Sequence, residues 1–138
     1  MIEINNTTSQ KINQSKIKKI VDDFLAVHKK NGREVSIAII GASRMRKLND
    51  DYRGINKTTD VLSFGGEGKY LGEVIINIEE VKKNHKYLEV FGIKKSAEYI
   101  FYFLLIHGLL HLIGYTDDRE DERARMLKIG RTFLEKHF

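Results

Sequence analysis

The chain contains no cysteine, no proline and no tryptophan. Without cysteine there is no disulfide and no thiolate-bound metal, which suits a reducing compartment. Without proline there is no X-Pro bond to hold a cis turn. A membrane-spanning run is missing too. The uncharged stretch Tyr99–Tyr115 is shorter than the ~20 residues a transmembrane helix needs and carries two histidines and two glycines. It reads instead as a buried core helix. The opening MIEINNTTSQKINQSKIKK lacks the apolar core of a signal peptide. The expectation is a cytoplasmic protein with no membrane contact.

What is present describes an ordinary globular chain. Its 138 residues suit one domain, residues 1–138, large enough to bury a core without staples. The formal charge of +5 makes a polyanionic partner plausible. The distribution says more than the total. Lys11–Arg33 holds seven basic and two acidic residues, Arg44, Arg46, Lys47, Arg53 and Lys57 form a second basic stretch, and Asp117–Glu122 is acidic. A basic body with one acidic knot suits an anionic substrate meeting a cation site. Solvated helix faces are the bland reading of the same charges.

Hydrophobic periodicity sets the elements. Residues 2–6 suit a short edge strand. Ile17, Ile20, Val21, Phe24 and Leu25 fall at helical spacing in a helix capped at Ser15, running to about Lys30 and stopped by Gly32. EVSIAII (34–40) reads as a buried strand, and ASRMRKLNDDYR as a helix capped near Ser43. Two more strands, 60–65 and 72–78, flank a glycine-rich loop. A short helix from Glu79 to about Lys86, a long apolar helix over about 94–113 and an amphipathic one from about Arg119 complete the chain. Helices interspersed among strands imply an α/β (α+β) fold around one sheet of about four strands with about five helices. The close 60–78 pair favours a hairpin and the helical connections favour parallel neighbours, so the sheet should be mixed.

The chemistry concentrates in HGLLHLIGYTDD, His107–Asp118. Residues four apart on a helix share a face, so His107 and His111 aim two imidazoles at a common point. That spacing suits a divalent cation at about 2.0–2.1 Å from each nitrogen. Gly114 stands where a helix ends in a left-handed turn, and a chain reversing there can bring Asp117 or Asp118 back over the imidazoles. Three ligands with a fourth place for water suit a catalytic zinc at the end of the long apolar helix. Core histidines bonded to carbonyls are the competing reading. Gly108 occupies the position where H-E-x-x-H zinc peptidases carry their general base.

These residues resemble the signature of the YbeY family, H-G-x-L-H-L-x-G-Y-D-H. LNDDYRGINKTTDVLSF (48–64) is similar to the family's L-N-x-x-Y-R-x-x-D-x-P-T-D-V-L-S-F, and LGEVIINIEEV (71–81) to its L-G-D-I-x-I segment. Glu122 and Met126 fall at the expected offsets. The resemblance implies a bacterial endoribonuclease and ribosomal RNA maturation factor that holds zinc through three histidines. His107 and His111 match the first two. At the third position stands Asp117, and the aspartate usually preceding it is Thr116. A carboxylate ligand at about 2.0–2.2 Å keeps a His-His-Asp zinc site chemically sensible. It lowers the site's charge by one and makes bound water less acidic. Thr58 and Gly65 replace the two prolines of the family pattern. Arg53 matches an arginine associated with catalysis or RNA binding, and a guanidinium can clamp a phosphate through two parallel hydrogen bonds. Asp60, Ser63 and Phe64 shape the strand beside the site.

The implied function is a zinc-dependent, single-strand-specific endoribonuclease of small-subunit ribosomal RNA maturation and ribosome quality control, binding one Zn2+. Its partners would be ribosomal RNA and the ribosome, with no DNA. Asp118 and Glu122 are the possible acid/base groups. Two alternatives stand beside it: a non-catalytic ribosome-associated module with a degenerate metal site, and another metal-dependent hydrolase, for example of peptides. For the third ligand, Asp118, His137 or an empty site compete with Asp117.

Overall fold

A computed structural model describes residues 1–138. Four strands, β1 (Ile2–Asn6), β2 (Glu34–Ile40), β3 (Val61–Gly65) and β4 (Tyr70–Asn77), form one sheet in the order β1-β2-β4-β3. β1 and β4 pair parallel to β2, and β3 pairs antiparallel to β4 through a hairpin. The sheet is therefore mixed, as the sequence pattern predicts.

The central strands are apolar on both faces because both are covered. Val35, Ile37, Ile39, Val74 and Ile76 point into the main core with helices α1 (Gln14–Val27) and α4 (Ala97–Leu112). Ile40, Leu62 and Ile75 point the other way, against Met45 of α2 (Ala42–Arg53). Two-sided burial is what turns alternation into a continuous hydrophobic run. α4 is apolar nearly all round, with Tyr99 through Ile106 buried without a break. It lies between the sheet and α5 (Glu120–Glu135), where such a helix belongs.

Several boundaries differ from the sequence expectation. Asn13, not Ser15, caps α1, its side chain accepting from the Lys16 backbone N–H at 3.0 Å. The helix ends at Val27, before Gly32, because Lys29 takes the left-handed conformation (φ 58°). Its two closing bonds, Lys29 N–H to the Ala26 carbonyl and Lys30 N–H to the Leu25 carbonyl, form a Schellman turn without glycine. At α2 the cap position is Gly41 rather than Ser43, and the first-turn Ala42 N–H is satisfied from across the fold by the Glu79 carboxylate at 2.6 Å. The expected 79–86 helix is two 3-10 turns, Glu80–Lys82 and Asn84–Tyr87, followed by a single turn, α3 (Leu88–Phe91). Ser96 caps α4, accepting from the Tyr99 N–H at 3.1 Å, so that helix begins three residues later than the apolar pattern suggests.

Candidate metal centre

His107 and His111 lie in the last turns of α4, one turn apart, with ring centroids 4.9 Å from each other. The helix closes with a second Schellman turn: Gly114 N–H bonds the His111 carbonyl and Tyr115 N–H the Leu110 carbonyl. Gly114 has φ 110°, a conformation that suits glycine. The reversal brings Asp117 back over the imidazoles. Its Oδ2 is 3.3 Å from His107 Nε2 and 3.4 Å from His111 Nε2. One imidazole or carboxylate atom from each of the three residues lies within 4.8 Å of the others.

The donor set fits a metal ion. His111 Nδ1 faces the Tyr115 carbonyl at 3.1 Å. A carbonyl only accepts, so this bond places the proton on Nδ1 and leaves the Nε2 lone pair toward Asp117. Burial, followed by the neighbouring His111, holds the His107 imidazole below its ordinary range against a smaller upward pull from Asp117. Neutral imidazole is the form that ligates. The site also sits at the carbonyl end of a long helix, where the backbone dipoles favour a cation. His107 Nδ1 is buried without a partner, so one of the two imidazoles lacks the outer hydrogen bond that orients most metal-binding histidines.

The three residues line an open cleft of about 480 Å³ between α4, β3 and α5. Arg53, the last residue of α2, lines the same cleft, as do Asp60 and Ser63 beside it. Neither Arg53 nor Arg123, which enters from α5, forms an ion pair. Arg123 and Tyr87 are absent from the sequence expectation. Tyr87 gave no signal, because its place follows from two irregular turns. Arg123 gave one: it stands in register with Met126, Leu127 and Gly130, the inward stripe of α5. The Tyr87 hydroxyl donates to Asp60 Oδ2 at 3.0 Å, and Asp60 Oδ1 accepts from the Val61 N–H. Burial first and then the Asp60 charge push the Tyr87 phenol upward, so it remains a donor.

The two residues suggested for acid/base work stand apart from the cleft. Glu122 is occupied at the start of α5, accepting from the Arg119 N–H at 3.2 Å and the Thr116 hydroxyl at 2.9 Å. Asp118 is exposed and does not line the cleft. His137, considered as a distant ligand, bonds Asp23 at 3.1 Å instead. Gly108 has a packing reason of its own. A Cβ there would come 2.5 Å from Val74 Cγ1 and 3.1 Å from Ser63 Oγ. The Gly108 carbonyl accepts from the Ser63 hydroxyl at 2.9 Å, tying α4 to β3.

Fold and site thus define an α+β domain of one mixed sheet whose His-His-Asp cluster could hold a metal ion. The model of the family Endoribonuclease YbeY matches residues 3–137. An endoribonuclease YbeY from Sulfurihydrogenibium sp. is 34% identical over 125 residues, covering 86% of this chain and 79% of that protein. One from Wolinella succinogenes is 34% identical over 128 residues, covering 91% and 84%. The solution structure of TM1509 from Thermotoga maritima superposes with a TM-score of 0.69 over 99% of this chain and 88% of that one. At 22% identity it supports the fold. The chain belongs to the endoribonuclease YbeY family.

Proposed function

We propose that this chain is a zinc-dependent, single-strand-specific endoribonuclease that matures small-subunit ribosomal RNA in the cytoplasm and serves ribosome quality control. One observation carries the reading. Three residues that could hold a metal ion share a cleft with an unpaired guanidinium, Arg53, in a chain of net charge +5 whose relatives are named endoribonucleases. His107, His111 and Asp117 would hold the ion. Bound there, the ion would supply Lewis acidity toward a phosphoryl oxygen or a water molecule. Arg53 binds the substrate phosphate in two-pronged fashion and stabilises negative charge as it develops. Arg123, from α5, adds a second cation to the same cleft. The Tyr87–Asp60 pair holds a carboxylate at the cleft in one orientation.

Peptide hydrolysis by the H-E-x-x-H route finds no support, since a side chain at position 108 has no room beside Val74. The test is metal content and cleavage together. Protein purified without added zinc should carry about one zinc per chain, and cleavage of single-stranded ribosomal RNA should stop on chelation and return with zinc. Metal-loaded protein that binds RNA and leaves it intact would make the chain a non-catalytic module instead.

A further inference from the structure

A second cleft of about 580 Å³ lies along α5 beyond the metal centre. Its chemistry is cationic and aromatic. Lys95, Lys128 and Arg131 line it together with Phe91, Tyr99 and Phe138, and the acid Glu135 is also part of its wall. None of the three cations is ion-paired. The rings form a row: Phe91 meets Tyr99 edge-on at 5.2 Å, and Tyr99 meets Phe138 at 5.4 Å. Lys95 Nζ stands 4.6 Å from the Tyr99 ring centre. Phe138 is 50% exposed, although Lys16 lies over its ring.

The two clefts are neighbours. Val90 and Leu127 line the metal cleft, while the next residue of each, Phe91 and Lys128, lines the second. Arg131 donates to the Val90 carbonyl at 3.1 Å and so sits on the divide. Arg123, Leu127 and Arg131 are spaced by one helical turn on a single stripe of α5. Arg123 and Arg131 are therefore about 12 Å apart along the axis, one in each cleft. Anything polyanionic that leaves the metal cleft along α5 meets this second set of cations next.

Resting on the proposed RNA substrate, we propose that the second cleft binds the single-stranded RNA flanking the reacting phosphodiester. Lys95, Lys128 and Arg131 take its phosphates, and the exposed ring of Phe138 stacks on a base. Cations free of ion pairs beside aromatic rings are what a single strand needs, because every base has a π-face and every linkage a charge.

The experiment compares the zinc-loaded full chain binding RNA of about three and about ten nucleotides across a salt series, with thermal melting as a check on folding. The native chain should prefer the longer strand. The double variant Lys95→Glu, Lys128→Glu should lose most of that length preference, and its salt slope should fall by about 1.4. Lys18→Glu, on the exposed face of α1, should leave the preference as it is. Phe138→Leu, which keeps the charge and apolar bulk, should weaken the longer strand by about fivefold or more. A length preference and salt slope unchanged in the double variant would overturn the proposal. So would an equal response to Lys18→Glu, or a glutamate decapeptide binding as tightly as the ten-nucleotide strand. If the length preference responds while no protein cleaves RNA, the second cleft stands and the nuclease reading falls. Cleavage with an unresponsive preference is the reverse.

Discussion

Gly108 and Val74 touch so closely that a single added methyl group at position 108 would lie 2.5 Å from Val74 Cγ1. This contact sets how deeply the histidine-bearing helix sinks onto β4. Gly108→Ala should therefore destabilise the fold by about 1–3 kcal/mol through overpacking, offset in part by alanine's better helix propensity. It should also weaken metal binding, because the flanking His107 and His111 ride on the displaced backbone. Val74→Ala in the same chain should relieve the overlap. A double-mutant cycle by urea denaturation should show a favourable coupling; simple additivity would mean that α4 and β4 adjust independently.

Asp117 is expected to complete the metal site. Asp117→Ala should remove most zinc affinity, whereas Asp118→Ala, at an exposed position outside the cleft, should change it much less. Asp117→His should bind zinc at least as well as the native chain and raise nuclease activity, because a neutral third ligand leaves the site one charge more positive. Elemental analysis of the three purified variants checks the assignment. Full zinc occupancy in Asp117→Ala would sink it.

Arg53→Lys keeps the charge and gives up the planar fork. RNA affinity should stay within a few fold, with its steep salt dependence retained, while cleavage falls by about tenfold or more. Single-turnover cleavage at saturating RNA separates the two effects. A lysine variant that cleaves at the native rate would reduce Arg53 to a generic cation.

Glu80 offers a test of acid stability at a group that does not line the metal cleft. Its side chain is 5% exposed and contacts Lys83 at 3.0 Å and Lys86 at 2.8 Å. Burial alone would push this carboxyl up. The two ammonium groups, Lys86 before Lys83, outweigh it and hold the group below its ordinary value of 4.5. A lowered folded pKa contributes stability above the unfolded value and loses it as pH falls through the folded one. Glu80→Gln should thus be less stable than the native chain at pH 7, with the gap closing as pH drops below about 4.5. Urea midpoints across that range supply the measurement, and a constant gap would mean that the ion pairs contribute nothing.

Much of this protein was legible from local pattern. The helical spacing from Ile17 to Leu25 follows from a period of 3.6 residues, the buried EVSIAII strand and the α4 helix are read from unbroken apolar runs of different length, and the structure has the corresponding strand and helices. His107, His111, Gly114 and Asp117 converge because all four belong to one helix end and its turn, so short-range geometry is enough to assemble them. Tertiary structure decided what distant segments supply. Asn13 caps α1 although Ser15 offers the same chemistry, and the α2 N-terminus is satisfied by Glu79, 37 residues away. Glu122 is drawn into the first turn of α5, while Arg123 beside it faces the metal cleft and Tyr87 arrives there through two irregular turns. Such choices turn on which polar group is nearest once the core has closed. Packing distances set that, and residue type along the chain does not encode them.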